Sequence, residues 1–157
     1  MTELYEILRL RQTVFGIEQQ CLYQDLDGLD PQAAHLTGWQ ETGSPDSSVP
    51  GRLVAGLRIL APGVRYDEPS IGRVLVDQSM RGQGCGRALM RAGIERCQEW
   101  WPALGIRISA QQYLIGFYES LGFTLCSPPY DEDGITHVQM VRSKNVADPA
   151  NGPDSRR

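Results

Sequence analysis

The sequence predicts a single α/β domain in which a mixed sheet is flanked by helices. Three observations predict it. Segments with apolar residues three and four apart alternate with short segments of strand character, in the order helix, strand, strand, strand, helix, strand, helix, strand, strand. The chain has 157 residues, enough for one sizeable core. A glycine-rich turn around residues 82–86 joins an apolar strand to the strongest amphipathic helix, the join expected of an α/β layer.

The elements follow in order. Residues 2–15 read as a helix, with Leu4, Ile7, Leu8, Arg11, Val14 and Phe15 at helical spacing and Thr2 as a cap. A polar, turn-rich stretch from Tyr23 to Pro31 precedes strands at 34–40 and 52–60. The connection between them, Thr42 to Gly51, has the composition of a mobile surface loop. A third strand covers about 71–76. Over 84–100, Cys85, Ala88, Leu89, Ala92, Cys97 and Trp100 repeat at helical spacing; Gly93 lets that face approach a sheet, and Pro102 ends the helix. Ile106–Ala110 alternates like a strand, a second helix spans roughly 112–121 with Gly122 as its cap, and strands follow at 123–127 and 136–142. The domain is therefore placed at 1–142, and the polar tail 143–157 is expected to be disordered.

Composition excludes several classes. The formal net charge is -4 and no stretch is strongly basic, which argues against nucleic acid as a partner. No apolar run is long enough to span a bilayer, and the N-terminus lacks a signal-peptide pattern, so a cytoplasmic location is the expectation. Cys21, Cys85, Cys97 and Cys126 form no CxxC pair and have no histidine at zinc-ligand spacing, so no metal is expected.

Chemistry concentrates at Arg81-Gly82-Gln83-Gly84-Cys85-Gly86. Amides at a helix start lack intrahelical acceptors and sit at the positive end of the helix dipole, which suits a phosphate or pyrophosphate. Glycines permit positive φ, and Arg81 and Arg87 add charged donors. The spacing is neither that of a P-loop nor that of a dinucleotide fingerprint. This RxxGxG pattern, directly after an apolar strand and opening a long helix, resembles the acetyl-CoA motif of the GNAT N-acetyltransferase superfamily. Downstream, Phe117-Tyr118-Glu119-Ser120-Leu121-Gly122-Phe123 resembles that superfamily's second helix. Val14–Gln19, Tyr23–Asp30, Gly38-Trp39 and Glu132–His137 resemble its ElaA-type branch.

The resemblance implies a GNAT-like, mostly antiparallel sheet and an N-acetyltransferase. Acetyl-CoA is the implied co-substrate, and an amine of a small molecule or peptide is the acceptor. The backbone of Val74, Leu75 and Val76 would pair with the pantetheine arm and polarise the thioester. Arg81, Gly82, Gln83, Gly84, Cys85, Gly86 and Arg87 would hold the pyrophosphate, and Gln111 the CoA arm. Tyr118 would act as acid toward the departing thiolate. Direct attack in a ternary complex needs no covalent enzyme intermediate.

An alkylammonium must lose a proton before it attacks, since its unperturbed pKa is about 10.4. Glu18, Glu41, Asp77, His35 and His137 are candidate bases, with Glu18 assigned that role and His137 a place near the acceptor. Arg58 and Arg73 interrupt apolar strands, and by alternation Arg73 shares a face with Ile71 and Leu75. Each needs a carboxylate partner, for which Asp25, Asp27 or Asp30 are candidates; alternatively Arg73 orients an anionic acceptor. The strand that usually precedes the first helix in this superfamily is not evident, which leaves a sheet edge open to a homodimer partner. The competing reading is an acyl-CoA-binding regulatory or interaction module without turnover.

Overall fold

The computed structural model describes residues 2–41, 43 and 51–147. Most of the expected 42–51 loop, the tail beyond Ala147 and the Thr2 cap side chain lie outside that description. The chain forms two compact units: residues up to Leu60 together with Ile71–Arg96, and Ala61–Ser70 together with residues from Cys97 onward.

In the first unit, α1 (Thr2–Arg11) buries Ile7 and Leu10, which cluster with Val14, Phe15, Leu53 and Leu75. The expected helix changes form after Arg11. Gln12–Glu18 is π-helical, closed by Gln19 N–H on Val14 O at 3.0 Å. Thr13 Oγ donates back to Arg9 O at 3.1 Å, a bond that competes with the regular ladder at the junction. The π segment places both Val14 and Phe15 in the core.

Strand β1 (Ala34–Gln40) pairs antiparallel with β2 (Arg52–Leu60), with a register shift between Gly38 and Trp39. A Cβ on Gly38 would stand 3.0 Å from Ala55 Cβ, so glycine permits the close approach there. Every β2 residue after Arg52 is buried, as in a strand covered on both faces. Strand β3 (Ser70–Val76) neighbours β2 and leads into helix α2 (Cys85–Trp100). Gly93 performs as its sequence position predicts: a Cβ would come within 2.9 Å of Leu57 Cδ2 and 3.3 Å of Ile71 Cδ1. Met90 and Ile94 are buried on α2, and burying a side chain such as Ile94 contributes about 1.5–3 kcal/mol.

In the second unit, β4 (Ile106–Gln111) pairs antiparallel with β7 (Ile135–Arg142), from Ile106↔Arg142 to Gln111↔His137. Ile106, Ile108 and Ala110 are buried, whereas Arg107, Ser109 and Gln111 face the other way. Ser70 pairs in parallel with Arg107. Strand β5 (Thr124–Leu125) and the unpredicted β6 (Tyr130–Glu132) both pair antiparallel with β7. A hairpin at Asp133-Gly134, with φ of 53° and 82°, connects β6 to β7. The second predicted helix is a 3₁₀ turn at Gln112–Leu114 followed by α3 (Ile115–Glu119). Gly122 caps it as predicted: Gly122 N–H reaches Glu119 O at 3.0 Å and Phe123 N–H reaches Tyr118 O at 3.1 Å. The start of the tail, Ser143–Val146, is a hydrogen-bonded turn. No helix among the described residues is long and apolar enough to cross a membrane.

Candidate functional site

The turn between β3 and α2 is built by local polar chemistry. Asp77 N–H bonds Val54 O at 2.7 Å, which fixes where β3 ends. The Asp77 carboxylate caps the 3₁₀ turn Gln78–Met80, accepting from Ser79 N–H at 3.0 Å and from Ser79 Oγ, and Arg52 lies 3.1 Å away. These bonds from Ser79 hold Asp77 below its ordinary carboxylate value, so it is a poor base.

Gly82 and Gly84 then adopt φ of 76° and 80°. A Cβ on either would meet nothing within 4 Å, so backbone conformation rather than packing requires glycine there. Gly86 has ordinary space, with Val76 Cγ2 at 3.7 Å. Ala88 N–H to Gly84 O, 3.0 Å, is an early rung of α2, and the amides of Cys85 and Gly86 precede it at the helix mouth. A helix start of this kind, preceded by exposed glycines, can receive an anion such as a pyrophosphate. Arg81 Nε donates to Val76 O at 3.0 Å, and its NH2 pairs with Glu18 at 2.5 Å. Gln83 Nε2 reaches back to Ser79 O at 3.3 Å, Cys85 and Arg87 are half-buried, and Gly82 and Gly84 are exposed.

Strand β3 departs from the predicted alternation. Leu75 lies in the α1 cluster and Ile71 lies against Gly93 of α2, so the two occupy opposite faces. Arg73 has φ of 52°, a left-handed value found inside no other strand among the described non-glycine residues. The pleat slips at the Gly72–Arg73 step, and Arg73 shares a face with Leu75 only. Val74 and Val76 are half-buried.

The Arg73 side chain enters a closed alternating ring of three arginines and three aspartates, Arg11–Asp25–Arg73–Asp27–Arg58–Asp30 and back to Arg11. Arg11 and Arg58 are almost fully buried. The hydrogen bond from Arg58 pulls the Asp27 carboxyl far below the ordinary range. Burial pushes Asp30 upward, but the bonds and charges of Arg11 and Arg58 outweigh it, and the net shift is downward. His35 Nε2 sits 3.2 Å from Asp30 O at the edge of this ring. The expected carboxylate partners of Arg58 and Arg73 are thus present, and Arg73 is engaged within the protein.

In the second unit, Tyr118 is buried against Phe117 and Phe123. Burial pushes its phenol up to about 12. Gln111 stands beside His137 in register. His137 has Nδ1 2.8 Å from Ile135 O and Nε2 3.4 Å from Glu132 Oε2, and its ring stacks on Tyr130. Neither ring nitrogen is aimed away from an acceptor. Glu132 also accepts from Ser109 Oγ at 2.9 Å and from Arg65 at 2.9 Å, and Ser109 meets the Tyr130 hydroxyl. Sequence reasoning missed Arg65, Ser109, Tyr130 and Glu132 as a group. Only the Asp-Gly hairpin signal at 133–134 could have brought β6 beside His137.

The first unit also carries a cleft of roughly 570 Å³ between α1 and residues 21–26, with Leu8, Phe15, Tyr23 and Leu26 on its walls. Asp25 and Arg11 of the ring lie along it.

A profile described as an acetyltransferase (GNAT) domain matches residues 54–144. The chain belongs to the GNAT acetyltransferase family, whose fold serves acyl transfer from acyl-CoA. Relatives narrow this to the ElaA-type branch. A UPF0039 protein from Synechocystis is 44% identical over 138 residues, 88% of this chain and 84% of that protein. Protein ElaA of Escherichia coli is 38% identical over 144 residues, 90% of this chain and 88% of its own. The crystal structure of an acyl-CoA N-acyltransferase from Pseudomonas aeruginosa matches with a TM-score of 0.80 and 37% identity over 90% of each chain. That of E. coli ElaA gives 0.79 and 37% over 91% of each.

Proposed function

We propose that this chain transfers an acetyl group from acetyl-CoA to an amine of a small molecule or peptide, by direct attack within a ternary complex. The observation that carries the reading is the turn at Gly82–Gly86, where Gly82 and Gly84 take positive φ with nothing within 4 Å of a Cβ, directly before the N-terminus of α2. Arg81, Gln83, Cys85 and Arg87 contribute main-chain or side-chain donors to the pyrophosphate. The backbone of Val74–Val76 takes the pantetheine arm, and Gln111 contributes an amide to it.

The chemistry assigned to each side chain follows from its surroundings. A phenol at about 12 is a weaker acid than a thiol at about 8.5. Tyr118 therefore donates a hydrogen bond to the departing sulfur and keeps its proton; outright transfer would cost about 5 kcal/mol. Glu18 is the base, and in the free protein its carboxylate is held by Arg81. When Arg81 turns to the pyrophosphate, Glu18 is released to accept the first proton of the ammonium; the neutral amine then forms the C–N bond as the C–S bond breaks, and the second amine proton passes to the departing sulfur, which leaves as the CoA thiol. His137 borders the acceptor, and Arg73 acts as a structural element rather than a substrate contact.

The test is steady release of free CoA thiol from acetyl-CoA across a panel of amines. Amine-dependent turnover supports the enzyme. Saturable acetyl-CoA binding without turnover on any amine in the panel would favour a binding module instead.

A further inference from the structure

We infer that the alternating ring of Arg11, Asp25, Arg73, Asp27, Arg58 and Asp30 is a clamp that holds β3 in its slipped conformation, making Arg73, Asp25 and Asp27 positioning residues for the thioester. The inference rests on the proposed role of the Val74–Val76 backbone.

Three observations converge. A non-glycine residue at φ of 52° inside a strand is strained. Such a conformation persists only where its surroundings over-determine it. The surroundings here are the ring itself. Arg73 Nε lies 2.7 Å from Asp25 Oδ1, and its NH2 reaches Asp25 O at 3.0 Å and Asp27 Oδ2 at 3.4 Å. Tyr23 lies beneath the guanidinium, 5.9 Å from its ring centre. Asp25 and Asp27 are in turn anchored from the opposite side, Asp25 by Arg11 at 2.8 Å and Asp27 by Arg58 at 2.8 Å. Arg11 ties the ring to α1 and Arg58 ties it to β2, so the 25–30 segment is fixed to the frame of the unit before it grips Arg73.

The second observation is position. Arg73 immediately precedes Val74, and the pleat slip at this step decides which way the following amides point. The third is chemical economy. A ring of six charges with zero net charge is an expensive way to gain stability, because well-packed apolar residues of similar volume often do as well. Its distinctive property is its layout, with each arginine set between two carboxylates; the Arg73 Nε–Asp25 Oδ1 contact is an ion pair without hydrogen-bond alignment, and Arg73 NH2 donates to Asp25 O.

The experiment uses the full chain and two variants, Asp27→Asn and Arg73→Lys. Asp27→Asn keeps the shape and removes one charge; Arg73→Lys keeps the charge but cannot reach Asp25 and Asp27 together. Two quantities are read. The first is amide hydrogen exchange at Val74 and Leu75, compared with Met90 and Ile94 on α2. The second is the affinity for acetyl-CoA, compared with 3′-phosphoadenosine 5′-diphosphate, which carries the pyrophosphate but no pantetheine.

The clamp predicts exchange at least tenfold faster at 74–75 with α2 unchanged, and a tenfold loss of acetyl-CoA affinity with the nucleotide unchanged within twofold. A rise in exchange spread evenly over the unit, or none at 74–75, overturns it and leaves the ring a purely structural feature. Failure of the unaltered protein to bind acetyl-CoA would sink the functional reading instead, while the exchange comparison would still decide whether the clamp exists.

Discussion

Replacing Gly84 with alanine separates strain from ligand binding. Gly84 sits at φ of 80° with no atom within 4 Å of a Cβ, so alanine introduces no clash. It introduces the left-handed penalty, about 1–2 kcal/mol. For a chain of this size that lowers Tm by roughly 2–4 °C per kcal/mol. If the turn relaxes to relieve the strain, at least two amides near the mouth of α2 are re-aimed. Hydrogen bonds to a charged group are worth about 1.5–3 kcal/mol each, so CoA affinity should fall by at least about a hundredfold. Gly63 supplies a matched control, at φ of 82° and equally open. Gly63→Ala should cost similar stability and leave CoA affinity unchanged. Calorimetric titration of both variants with CoA, alongside their melting curves, tests the reasoning. Equal affinity losses in the two variants, or none in Gly84→Ala, would refute it.

Further outcomes follow from the same geometry. Arg58→Met leaves Asp30 and Asp27 short of a buried partner and should cost about 3–5 kcal/mol, read as a fall in the urea midpoint; a loss under about 1 kcal/mol would mean the ring is effectively solvated. Asp27 and Asp30 have folded values below the ordinary 3.8, so their stabilisation is complete above about pH 4 and is lost as pH falls further; urea midpoints at pH 7, 5 and 3 should be level between the first two and drop at the third. Tyr118→Phe should lower kcat by at least about tenfold with little change in KM for acetyl-CoA, and unchanged turnover would remove the tyrosine from the mechanism. Gly93→Ala forces Leu57 and Ile71 side chains to move and should destabilise by about 1–3 kcal/mol in thermal melts.

The strands other than β6, α2 and the glycine turn were legible because each carries a local signal: period two or unbroken apolar character, period 3.6, and turn residues that demand positive φ. Gly93 and Gly122 were likewise readable, one from a small residue on a packing face and one from its place at a helix end. The π-helical stretch after Arg11 was not, because it keeps the same apolar spacing as an α-helix for most of its length. The slip at Arg73 was hidden for a related reason: Ile71, Arg73 and Leu75 fit a regular strand, and only the tertiary grip of Asp25 and Asp27 turns the backbone there. Partners for Arg58 and Arg73 were expected among the nearby aspartates, yet the closed ring needed Arg11, whose place on the apolar face of α1 was the overlooked clue. The Glu132 network combines residues from β4, β6, β7 and the 61–70 segment, a convergence that no local pattern encodes.

The most direct test compares CoA with S-acetylpantetheine, which keeps the reactive end and lacks the pyrophosphate, in calorimetric titrations of the unaltered protein. Saturable CoA binding with S-acetylpantetheine at least a hundredfold weaker is the predicted result. Equal affinity for both, or no saturable binding of CoA, would contradict a nucleotide grip at Gly82–Gly86.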